Sequence, residues 1–266
     1  MKQFRKNYRV LKELVRLRFQ NLMMFKIGFF GPFFVDGSLF AVQLLVFQAV
    51  YSNVERIGSW GKGEMIIYIG TYSLLNAVNM VICFFGICGI SGKIKNGEMD
   101  LYLTKPVSPL FRISLERINP GSIPLVIMSV CIIFYGIHTA DMQPGGKKVL
   151  CYLFWLLIMQ VFYYDMEVLI RSIAFYTIST AKMEQLEEAC LDLCMKLPGI
   201  AFYGIYKFIF YCILPYGIMA TLPVQSLIGE MSLGLGIYGI LAVCIFTGVT
   251  AFLWKNGIRH YNSASS

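Results

Sequence analysis

Residues 233–254 read LGLGIYGILAVCIFTGVTAFLW, a run that contains no Asp, Glu, Lys or Arg. A helix rises ~1.5 Å per residue and the hydrocarbon core of a bilayer is ~30 Å thick, so a stretch of this length and purity is a transmembrane span. The rest of the 266 residues has the same character. Hydrophobic residues make up 57%, aromatics 15% and charged residues only 14%, and the mean hydropathy is +0.65. An ordinary soluble domain carries about 25% charged residues, so this composition excludes a water-soluble enzyme. It leaves no room for a separate soluble catalytic domain beside the spans.

Working outward from Leu233–Trp254, five further apolar stretches are expected to cross the membrane: about 31–52, 65–90, 120–137, 149–172 and 199–222. The expected fold class is therefore an all-α integral membrane protein with six transmembrane helices and both termini on one side. Pro198-Gly199, Pro215 and Pro223 divide the fifth region. Proline removes a backbone donor that lipid cannot replace, and such breaks at membrane depth survive only within protein or beside water. Residues 215–229 are accordingly expected to turn back in the outer leaflet as short helices, the simpler alternative being a Pro-kinked span with a short external loop.

The formal net charge of +8 raises the question of a nucleic-acid partner, and the placement of the 23 basic residues answers it. Eight of them (Lys2, Arg5, Lys6, Arg9, Lys12, Arg16, Arg18, Lys26) fall before the first span. With that end cytoplasmic, the inner segments hold 18 basic residues and the outer ones four (Arg56, Lys62, Lys147, Lys148), with Lys207 inside the fifth span. This is the positive-inside pattern, not a phosphate-binding patch, and no nucleic-acid partner is expected. The basic block is too long for a signal peptide and no small-residue cleavage site follows it. Phe4, Tyr8, Leu11, Val15, Phe19 and Leu22 recur at helical spacing beside a basic stripe. Residues 1–27 thus read as an amphipathic helix in the membrane interface, or as one packed on a cytosolic partner, ahead of a single transmembrane domain over 28–266.

Sites of chemistry are scarce. Gly86 to Lys93 imitates a phosphate-binding loop, but five residues separate the outer glycines, Ile94 replaces the magnesium-binding Ser or Thr, and a helix precedes it. His138 and His260, the sole histidines, are placed on opposite sides of the membrane, and none of the eight cysteines forms a CxxC pair. No metal site and no catalytic residue is expected. Ionisable residues within spans are costly and become candidates by default. Asp36 is either an interface-level carboxylate or functional. Asp165, Glu167 and Arg171 lie near the inner end of the fourth span, with Glu167 and Arg171 at i, i+4 spacing as a structural ion pair. Lys207 can snorkel to the interface. Between them, Lys182–Lys196 reads as a cytoplasmic helix with an apolar stripe of Met183, Leu186, Ala189, Cys190 and Leu193. Its Glu184, Glu187, Glu188 and Asp192 form either a solvated face or an acidic platform for a partner protein.

The loop 91–118 carries the most specific pattern, Gly97-Glu98-Met99-Asp100-Leu101-Tyr102-Leu103-Thr104-Lys105-Pro106. Gly97 can end the long second helix, the acids favour the start of a short new one, and Lys105-Pro106 stops it. With the basic leading helix and the broken fifth span, this run resembles the permease subunits of type 2 ABC transporters, in particular the small six-span bacterial permeases without a fused ATPase. The resemblance covers essentially the whole chain. It implies a coupling helix seated in a groove of a separate cytoplasmic ATPase, with Gly97, Glu98, Asp100, Leu103, Lys105 and Pro106 in that contact. It also implies ATP and Mg held by the ATPase and no cofactor on this chain, a second permease as a homo- or heterodimer, and a location in the cell membrane among its lipids. Transport in such permeases is usually export. The short connection between the last two spans leaves no extracellular capture domain of the kind larger members carry. Two other classes compete with transport: a membrane-embedded lipid-acting enzyme using Asp36, Asp165 or Glu167 as acid or base, and a membrane scaffold.

Overall fold

The computed structural model describes residues 56–261 except Ile178, together with isolated positions between Glu13 and Ala49. The expected helix over 1–27, most of the expected span over 31–52, and Asp36 lie outside the described residues. Among the described residues there is no strand, and the chain is a stack of helices.

Helix α1 (Lys62–Ile82) starts where the Glu64 carboxylate accepts the Gly61 N–H at 3.1 Å. It is followed by two short pieces, α2 (Phe84–Ile87) and α3 (Ile90–Lys95), so the expected second span 65–90 is a straight helix only to Ile82. The break has a packing cause. A Cβ on Gly86 would collide with the carbonyl oxygen of Ile113, because α2 crosses directly over α5 (Pro109–Leu115). The glycines that imitate a nucleotide loop thus include one that permits a close backbone crossing.

After the single-turn α4 (Asp100–Leu103) and α5, the loop returns, and the Asn119 N–H donates to the Val81 carbonyl at 2.9 Å. A 3-10 turn at Pro120–Ser122 leads into α6 (Ile123–Thr139). Helices α1 and α6 pack against each other closely. A Cβ on Gly136 would sit 2.7 Å from the Ile67 nitrogen, the small-residue contact that brings helix backbones together when lipid supplies no hydrophobic drive.

Helix α7 (Gly146–Ser172) continues through a 3-10 turn at Ile173–Phe175. Its first half shows Leu150, Leu153 and Leu157 outward, and its second half is buried from Phe162 onward except on one side. Helix α8 (Ala181–Lys196) follows, then α9 (Gly204–Phe208), which runs on as a π-turn over Ile209–Ile213. A 3-10 turn at Pro215–Ile218 and α10 (Thr221–Ile228) come next, with Gly229 left-handed at φ 94° as the stop. The stretch expected as the fifth span, 199–222, is therefore not one helix. Gly204–Ile213 and Pro215–Ile228 meet at 85°, the physical reason being the missing donor at Pro215. Helix α11 (Leu233–His260) closes the chain, capped by Ser232 Oγ, which accepts the Leu235 N–H at 3.2 Å.

Among the described residues, four helices are long and apolar enough to cross a membrane: Lys62–Ile82, Pro120–Thr139, Gly146–Phe175 and Leu233–His260. The bent pair makes up to five if it counts as one. Two large apolar clusters and a small one around Ala77 and Leu125 hold the described part together. One of the large clusters lies around Trp60, Tyr68, Phe162 and Tyr216. The other, around Ile87, Ile90, Met99, Ile113, Val168 and Trp254, supports the 91–118 loop.

Candidate functional site

The loop that carries the sequence motif is anchored from beneath and apolar at its tip. Gly97 adopts φ 74°, the left-handed conformation open to glycine at the end of a helix, and turns the chain out of α3. Met99 is fully buried in the supporting cluster. In a single turn that buries Met99, Leu101 must point away, and it is 66% exposed. Tyr102 points back. Its hydroxyl donates to Glu116 at 2.6 Å, and the same carboxylate pairs with Lys93 at 2.7 Å. Lys93 and Arg112 each stand 5.3 Å from the Tyr102 ring centre, within the range of cation–π attraction. Burial pulls the Lys93 ammonium down, but the hydrogen bond and charge of Glu116 outweigh it and leave its pKa raised. Burial, then the bond to Glu116, raises the Tyr102 phenol as well.

Of the residues singled out by the motif, Asp100 opens α4, and Glu98, Leu103, Lys105 and Pro106 are exposed. The helix is shorter than the motif suggests. It ends at Leu103, the chain turns through Thr104–Ser108, and Pro109 starts α5. Leu101 is absent from the sequence-derived set, although its place between the inward Met99 and Tyr102 identifies it as the most exposed apolar side chain of the loop.

A second constellation lies deeper. Arg171 Nη1 meets Glu167 at 2.7 Å, as the spacing predicts, and also meets Glu187 of α8. All three side chains are almost fully buried. Tyr216 donates to Glu187 at 3.2 Å, and Cys88 Sγ lies 3.7 Å from Arg171 Nη2. Asp165 stands apart from the cluster, accepting from Thr247 while its carbonyl accepts from Thr250 at 3.2 Å, so it joins α7 to α11. Lys207 is exposed, 5.7 Å from the Tyr211 ring centre.

Glu187 corrects the expected stripe on Lys182–Lys196. The buried positions of α8 are Glu187, Cys190 and Cys194, whereas Met183 and Leu186 are exposed. The helix turns its polar and thiol side inward because Arg171, Ser91 and two tyrosines wait there. It runs beside α3 and then α1. Ser91 donates to Glu184 at 2.7 Å near one end, Tyr72 donates to the Leu191 carbonyl at 2.8 Å, and Tyr68 donates to the Cys194 carbonyl. Beyond α8, Ile200 reaches Gly58 ahead of α1.

Several apolar helices, an anchored loop with an apolar tip at one end and a polar helix threaded among them make up a multi-pass membrane protein. Residues 38–265 match the family described as "ABC-2 family transporter protein", and the chain belongs to that family. No curated protein and no solved structure matches it. Members of this family are membrane components of ABC transporters, and this chain is such a transporter membrane component.

Proposed function

We propose that this chain is the permease subunit of an ATP-driven exporter of the cell membrane, with ATP and Mg bound and hydrolysed by a separate cytoplasmic ATPase. The ATPase docks on Leu101 and Leu103, flanked by Glu98, Asp100, Lys105 and Pro106, and a second permease stands alongside. Export is the direction taken by the permeases this sequence resembles.

The observation that carries the reading is α8. It is held by a hydrogen bond from Ser91 of α3 and then by those from Tyr72 and Tyr68 of α1, and α1 is itself a membrane-capable helix. Yet α8 turns Gln185, Glu188 and Asp192 outward. Carboxylates at bilayer depth face water or protein, not lipid. This face therefore borders an aqueous path or the partner permease, and α8, not 199–222, takes the place of the fifth of the six expected crossings. The hairpin Gly204–Ile228 then re-enters from the outer side. With Lys196 and Lys207 moved outside, the basic residues divide 17 inside to six outside, still the positive-inside pattern with both termini cytoplasmic.

The test is association. Leu101→Glu with Leu103→Glu should release the ATPase from the purified complex and abolish transport-linked hydrolysis, while the permease still inserts and elutes as before. Retention of the ATPase and of transport in that variant would overturn the docking assignment.

A further inference from the structure

Between the first limb of the hairpin and the start of α11 lies a cavity of about 710 Å³. Its apolar wall includes Ile200, Phe208 and Leu235, and its polar wall includes Lys207, Gln225 and Ser232. Lys207 is the one charged residue among those lining it. The Gln225 amide oxygen is buried and accepts no hydrogen bond from the described residues. A buried acceptor without a donor costs about 1–3 kcal/mol, so the cavity suits an occupant that brings a donor as well as a negative charge. The first turn of the 28-residue α11 adds its positive end through Ser232 and Gly234.

The rim tells what the occupant is attached to. Tyr203 is 70% and Tyr206 63% exposed beside the cavity, the aromatic placement typical of a membrane–water boundary. From the mouth, exposed Leu233, Ile237, Leu241 and Ile245 run down α11 as a continuous apolar surface. Free phosphate would use the cation and leave that surface idle. A phospholipid would use both.

We propose that this cavity holds the headgroup of one glycerophospholipid from the outer leaflet. Its phosphate lies beside Lys207, a headgroup hydroxyl or ammonium donates to Gln225, and its acyl chains follow Ile237 and Leu241. The site rests on the hairpin being at the outer boundary and is independent of how the ATPase docks.

Native mass spectrometry of the full chain in mild detergent, titrated with dioleoyl phosphatidylglycerol, reads the site directly. One retained lipid per chain is expected. Lys207→Gln should weaken it about tenfold, as the loss of one charge-assisted hydrogen bond does. Gly234→Phe should block it, and it is expected to fold, since a Cβ there meets nothing within 4 Å. Dioleoylglycerol, which lacks the phosphate, should not be retained, and millimolar inorganic phosphate should not displace the lipid. Equal retention by the wild type and both variants would overturn the site, and displacement by inorganic phosphate would overturn its assignment to lipid. ATPase co-purification should be unchanged in both variants, which separates this result from the docking test.

Discussion

Helices α11 and α8 accompany the same bundle and are built from opposite materials. α11 buries a narrow stripe (Gly239, Ala242, Thr250, Trp254, Gly257) and turns Ile237, Leu241, Ile245 and Phe252 outward. α8 buries a carboxylate and two thiols and turns outward a face that mixes charge with Met183 and Leu186. The difference teaches that hydropathy reports what covers a helix, not where it runs. Where lipid is the covering, as on α11, composition and position agree. On the proposed topology, α8 is covered by a partner surface or an aqueous path, and a helix so covered reads as one belonging to the cytoplasm.

The most damaging change should be Arg171→Met. It leaves Glu167 and Glu187 facing each other in a buried site, and removing one partner of a buried ionic group typically costs about 3–5 kcal/mol. Thermal unfolding in detergent should show a large loss, with partial recovery when Glu167→Gln and Glu187→Gln are added. Unchanged stability of the single variant would mean that the inner face of α8 is not held by this charge cluster.

A somewhat smaller effect separates the two outer faces. Leu241→Asp on α11 should cost about 2.5–3.5 kcal/mol, the insertion penalty of a carboxylate at the centre of a span, visible as poor membrane insertion. Glu188→Leu on α8 should insert and fold normally and lose transport instead. Equal insertion defects in both variants would erase the distinction. Least of all should follow from Lys196→Gln. Its pair with Asp192 at 2.6 Å is well exposed, and such pairs contribute under about 1 kcal/mol. A larger drop in melting temperature would show that this end of α8 is covered by protein.

Much of this contrast was legible beforehand and part of it was not. The runs around 120–137, 149–172 and 233–254 announce themselves because lipid-facing helices must be apolar throughout. The turn at Pro215 follows from a missing backbone donor, and the Glu167–Arg171 pair from helical spacing. The position of α8 does not follow from its own residues. Glu187 is tolerated inside because Arg171, 16 residues earlier, and Tyr216, 29 residues later, converge on it, and no local pattern encodes that meeting. Leu101 was overlooked for a related reason. Its exposure is decided by Met99 sinking into the cluster with Ile113 and Val168, a contact made across the fold.

Three fastenings join the loop to the end of the α1–α3 column: Asn119 to Val81, Glu116 to Lys93, and the crossing of Gly86 by Ile113. Together they remove slack. On the proposed docking, a push delivered at Leu101 would pass through these three contacts to the end of α1. From there Tyr72 and Tyr68, bonded to the backbone of α8 at Leu191 and Cys194, act as rungs between two rails. On the proposed docking, the output of the loop would be relative sliding of α1 and α8, carried by those two tyrosine rungs.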